Sequence, residues 1–131
     1  MNTKNIIVAF ASDDNKNLSK NHFGEAKKYL IYEISESSFS KIKTIENTSP
    51  EEKMHGNPNK SKGVAAILKP NGVKVIVNKA FGRNLSRMQQ KFVCIISSIP
   101  EINKNIAKIQ ENFNTIFTEL KKGEDRNFLR F

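Results

Sequence analysis

Apolar residues along this chain fall first into short continuous or alternating runs and later into one long helical stripe. Residues 5–11 are apolar after Asn5 and are bounded by polar residues, the pattern of a strand covered on both faces and therefore central in a sheet. Residues 29–34 and 39–45 flank Ser35-Glu36-Ser37-Ser38 and predict a hairpin with a polar tip. From 46 to 62 the chain is polar, with Pro50, Gly56 and Pro58, and a flexible surface loop is expected. Ser61 is placed to cap a short helix through Leu68, which Pro70 and Gly72 would stop. A strand at 73–77 follows, then a turn at 82–84, a helix of one or two turns marked by Leu85 and Met88, and a fifth strand at 92–96. Ile102, Ile106, Ile109, Phe113, Ile116, Phe117 and Leu120 recur at steps of three and four, so a long C-terminal helix should pack that stripe on the sheet. Ser98 and Glu101 are spaced as a capping box for it, and Lys121-Lys122-Gly123 reads as its end. The tail, 124–131, is charged, yet Phe128, Leu129 and Phe131 could pack back onto the body.

This order is α/β with an antiparallel hairpin at one edge and parallel crossovers late in the chain. At 131 residues it fits one domain, 1–131, large enough to bury a core without metals or disulfides. The single Cys94 lies inside an apolar run and is expected to be a buried structural thiol, consistent with a reducing compartment. No apolar segment reaches the roughly 18 residues of a membrane span, and the start of the chain reads as a strand, so a cytoplasmic location is expected.

Charge is concentrated in the middle of the chain. Residues 1–52 hold seven Lys against eight acids, residues 53–100 hold nine Lys or Arg and no acid, and residues 101–131 hold six basic and five acidic residues. The partial sums, −1, +9 and +1, give the net +9, so the middle third generates the positive field. Such a field attracts an anionic ligand, an acidic protein or nucleic acid, or it serves solubility alone.

Chemistry concentrates in the loop after the first strand, which opens Ser12-Asp13-Asp14 and continues Ser19-x-x-His22-Phe23-Gly24 before the second strand. Together with Ile31-Tyr32-Glu33-Ile34, His55-Gly56, Gly63-Val64-Ala65-Ala66-Ile67-Leu68, the strand at 73–77 and Phe81-Gly82-Arg83-Asn84-Leu85, this order resembles the dinitrogenase iron-molybdenum cofactor biosynthesis family. That family includes the NifX-like proteins and the carboxy-terminal domain of NifB, and the likeness covers most of residues 5–122. It implies a ribonuclease-H-like, three-layer fold with a mixed five-stranded sheet in order 3-2-1-4-5, strand 2 antiparallel to the rest. It also implies a non-enzymatic carrier for an anionic metal cluster, the iron-molybdenum cofactor or another iron-sulfur cluster, working with a cluster-donor or cluster-acceptor protein in metallocluster biosynthesis.

The resemblance makes His22 a metal ligand, with Met54 and His55 of the polar loop as further candidates. Ser12, Asp13, Lys79, Gly82, Arg83 and Asn84 become candidates for contact with the cofactor. On residue chemistry alone, His22 is equally a loop-bracing histidine, and Phe23 and Gly24 are structural, an anchor and a position of positive φ. The family's usual histidine-rich or methionine-containing segment is reduced here to His55, and its glycine-rich turn to a single glycine beside Asn78, Lys79 and Ala80. The turn at 80–84 serves either as a plain connection or as an anion site built of backbone N–H groups and Arg83. One Cys and two His fall short of a tetrahedral zinc site. Asp13 and Asp14 suit a turn better than a two-metal nuclease centre, since the acid-free stretch includes the fourth and fifth strands. No nucleophile and base pair is apparent. A basic module for nucleic acid or an acidic protein is the alternative, although aromatic and basic residues are not interleaved as in a stacking platform.

Overall fold

The computed structural model describes residues 4–48 and 58–131. Strand β1, Ile6–Ser12, lies in the middle of a six-stranded sheet. It pairs antiparallel with β2, Lys28–Ile34, which pairs antiparallel with the edge strand β3, Phe39–Glu46. After helix α1, Pro58–Leu68, strand β4, Val75–Asn78, runs parallel to β1 on its other side. Helix α2, Leu85–Gln89, leads to β5, Val93–Ile96, parallel to β4. Helices α3, Ile102–Glu111, and α4, Phe113–Lys121, then lead to β6, Leu129–Arg130, parallel to β5. The order is β3-β2-β1-β4-β5-β6 with β2 alone reversed. For the first five strands this is the order and direction that the resemblance implies.

Side-chain alternation divides the sheet between two cores. Ile6, Val8 and Phe10 of β1, with Leu30, Ile34, Val75, Val77, Val93 and Ile95, meet Ile102, Ile106, Ile109, Phe113 and Ile116 of α3 and α4. The opposite parity, Ala9, Ala11, Tyr29, Ile31, Ile76 and Cys94, meets Val64, Ala65 and Leu68 of α1 and Met88 of α2. Helices therefore cover both faces, and β1 is buried along almost its whole length. Cys94 is fully buried, and burial pushes its thiol up to about 12.

Four sequence expectations need correction. The sheet has six strands because the tail adds β6: Ser98 N–H donates to Phe131 O and Phe131 N–H to Ile96 O, both at 3.0 Å. The long helix is two, broken at Asn112 (φ −107°, ψ 22°), whose own amide side chain donates to Lys108 O at 2.8 Å and competes with helix continuation. The apolar stripe runs unbroken across that joint. The capping box does not form: Glu101 is the N-cap residue itself and pairs with Lys104 at 3.0 Å, while Ser98 Oγ donates to Phe131 O. Asn105 instead holds the turn, donating to Ile99 O at 2.8 Å and Glu101 O at 2.9 Å. Finally, α1 starts at Pro58, so Ser61 is within it and the interval between β3 and α1 is shorter than 46–62.

Candidate functional site

The site lies beyond the carboxyl ends of β1 and β4, where the chain leaves two parallel neighbours and turns. Residues leaving β1 form a tight polar turn. Ser12 Oγ donates to Asn17 O at 2.6 Å and accepts from Asn15 N–H at 3.0 Å. Asn15 takes φ 72°, a conformation its short polar side chain tolerates. Asp14 is exposed and accepts from Lys16 N–H at 2.9 Å, Asn17 N–H at 2.8 Å and Asn17 Nδ2 at 3.0 Å. Those donors, Asn17 N–H foremost, hold its carboxyl far below the usual carboxylate range. Asp13 closes the larger loop, accepting from Ser19 Oγ at 2.8 Å and from Lys27 N–H at 2.9 Å. Both acids therefore do the work of turns.

The loop next delivers His22 to the start of a 3-10 turn, Phe23–Glu25. Phe23 is fully buried, stacked on Phe81 at 5.2 Å between ring centroids and tilted against Tyr29 at 4.9 Å. Tyr29 Oη donates to Phe23 O at 2.9 Å, and burial raises that phenol's pKa, keeping it a donor. Phe23 is thus buried among aromatic neighbours from β2 and from the turn after β4. Gly24 is buried but is not at positive φ, so that expectation fails. A 3-10 turn needs only ordinary helical dihedrals, and the Gly24 carbonyl accepts from Asn47 Nδ2 at 2.8 Å.

The positive φ falls instead on Gly82, at 67°. It belongs to the 3-10 turn Gly82–Asn84, which follows β4 and runs into α2. The imidazole of His22 lies directly on this glycine: a Cβ built there would meet Nδ1 at 2.5 Å, Cε1 at 2.9 Å and Cγ at 3.0 Å. Only glycine meets both demands, the left-handed backbone and the close approach. His22 and Gly82, 60 residues apart in sequence, are therefore one contact in space. Phe23 N–H donates to Ala80 O at 2.8 Å, and the Asn78 amide donates to Asn21 O at 2.8 Å and Ala80 O at 3.1 Å.

Around this contact the cations are arranged on two sides. Lys79, half-buried, and Lys20, exposed, line an open cleft of about 430 Å³ with Asp13, Asp14, Asn17, Leu18 and Pro100. Arg83 is exposed on the turn beside Gly82, and Asn84 is buried with Oδ1 accepting from Arg87 Nη1 at 2.9 Å. The structure thus unites His22 with Gly82, and Asp13 with Lys79. Ser12 sits buried beneath the cleft in its turn, and Met54 and His55 lie outside the described residues. Among the described residues, no three His, Cys, Asp or Glu side chains converge as a metal site. No described helix is long and apolar enough to cross a membrane.

Asn78 and Lys20 are not among the candidates that the sequence suggests for the site. Asn78 ends the apolar strand V-I-V-N, and a lone amide at the carboxyl end of a buried strand was the available signal.

No curated protein matches the chain. A family model, described as dinitrogenase iron-molybdenum cofactor, matches residues 4–112, which takes in β1 to α3 and both loops of the site. The strand order, the His22 loop and the Gly82 turn all lie within that match, and the chain belongs to the dinitrogenase iron-molybdenum cofactor family.

Proposed function

We propose that this protein is a non-enzymatic carrier for a preformed anionic metal cluster of the iron-molybdenum-cofactor or iron-sulfur type, accessory to metallocluster biosynthesis. The observation that carries the reading is the seating of the His22 imidazole on Gly82 at the carboxyl ends of β1 and β4, in a chain of this family. A bare metal ion needs three or four protein donors, and the described residues supply no such set. A preformed cluster carries its own sulfide ligands and so asks fewer donors of the protein than a bare ion does, with one imidazole as the point of attachment. Lys20, Lys79 and Arg83, carried on the two loops that meet at this contact, supply positive charge that offsets the charge of the cargo. Ser12 and Asp13 shape the loop, and Asn84 supports the turn. The ribonuclease-H-like, three-layer description fits the central five strands with helices on both faces.

The role needs no catalytic residue. Cargo is received from a donor protein and passed to an acceptor by exchange at His22. The test is anaerobic titration with a synthetic iron-sulfur cluster, followed by optical absorption and metal analysis of the desalted protein. Stoichiometric uptake is expected, reduced at least tenfold in His22→Ala. Equal uptake by His22→Ala would remove the imidazole from the site, and no uptake by the parent protein would end the carrier reading.

A further inference from the structure

Asn78 is fully buried at the end of β4, yet it is polar, and half of its amide finds no partner among the described residues. Its Nδ2 donates twice, to Asn21 O at 2.8 Å and to Ala80 O at 3.1 Å. Two carbonyl acceptors fix which end of the amide is nitrogen, so Oδ1 is the other end, and it lies buried without a hydrogen-bond partner among the described residues. A buried orphan acceptor opposes folding. Retaining one here makes sense if the donor end does something that an apolar side chain cannot.

What the donor end does is join two loops. Asn21 precedes His22, and Ala80 precedes Phe81 and Gly82. One side-chain nitrogen therefore holds both segments, and the bond from Phe23 N–H to the same Ala80 carbonyl completes the link. The backbone just after β5 secures the residue, since Ser97 N–H donates to Asn78 O at 3.0 Å. We propose that Asn78 is a positioning residue that staples the His22 loop to the turn after β4, presenting the imidazole and the cationic turn as one preassembled surface. That this surface receives a metal cluster rests on the function proposed above. The staple itself does not.

The staple can be tested without any cluster. In the unmodified protein, the two Asn78 Nδ2 protons should exchange with solvent at least a hundredfold more slowly than those of exposed Asn103, read by NMR. Exchange at the exposed rate would overturn the proposal with no variant needed. In Asn78→Ala the Phe23 amide should exchange at least tenfold faster and the His22 ring resonances should shift, while the Ile31 amide keeps its protection. Parent-like exchange at Phe23 together with unmoved His22 resonances would overturn it. If Asn78→Ala does not fold, Asn78→Leu, of similar size but without a donor, is read by the same criteria. In the cluster titration, Asn78→Ala should lose uptake to the extent that His22→Ala does. Failure of the parent protein to take up cluster would sink the carrier reading alone, leaving the exchange data to decide the staple.

Discussion

Gly82 and His22 show how a single pair of residues sets the character of the site. The glycine is required twice, by φ 67° and by an imidazole that would stand 2.5 Å from any Cβ. Gly82→Ala should cost roughly 1–3 kcal/mol through backbone strain, and should also push the His22 ring off its seat. Urea unfolding measures the first effect and His22 ring chemical shifts the second. Parent-like stability with an unmoved ring would show that the close packing is not needed. Both residues are candidates from the sequence, but the left-handed glycine expected at position 24 is at position 82. The error has a physical source: a glycine next to a histidine in a reversal loop looks like the turn's own strained position. The strain is in fact carried by the glycine that faces that histidine from another loop.

Among the elements, the loop leaving β1 has the most explicit chemistry. Asp14 is held deprotonated by N–H donors of Lys16 and Asn17, so its folded pKa lies below the ordinary 3.8. A depressed carboxyl stabilises the fold at pH above 3.8, and that contribution is lost as pH falls through the folded value. The Lys16 and Asn17 amides should therefore lose protection in acid below that point, and in Asp14→Ala they should be unprotected at every pH. Unchanged amide exchange in the variant would show that the carboxylate does not hold the turn. Elements were legible where periodicity governs them: β1, the β2–β3 hairpin and the apolar stripe of α3 and α4 lie at the predicted positions within a few residues. They were misread where a local hydrogen bond decides. The helix break at Asn112 is invisible to periodicity because the stripe continues through it, and Glu101 looks like the third residue of a helix until Ile102 proves to be the first.

For the whole molecule, the acid-free middle third supplies β4, its following turn and α2. Lys79 thereby lines the cleft with Lys20 from the first loop, and Arg83 stands on the turn that follows β4. An exposed field of this kind is screened within roughly 8 Å at physiological salt. Capture of an anionic cluster should slow about threefold or more between roughly 0.02 and 0.3 M salt. Stopped-flow mixing under anaerobic conditions reads this rate, and a rate indifferent to salt would remove the cations from the capture step. By itself the sequence determined the element order as far as β5, the two-faced burial of β1, the buried thiol, the basic centre and a family resemblance that the family match bears out. These follow from local periodicity, composition and short motifs, which act over neighbouring residues. Tertiary structure alone decided that the tail becomes a sixth strand, that His22 rests on Gly82, and that Asn78 ties their loops together. Each of those is a contact between residues 30 or more positions apart, and only the packing of the sheet brings such residues within reach.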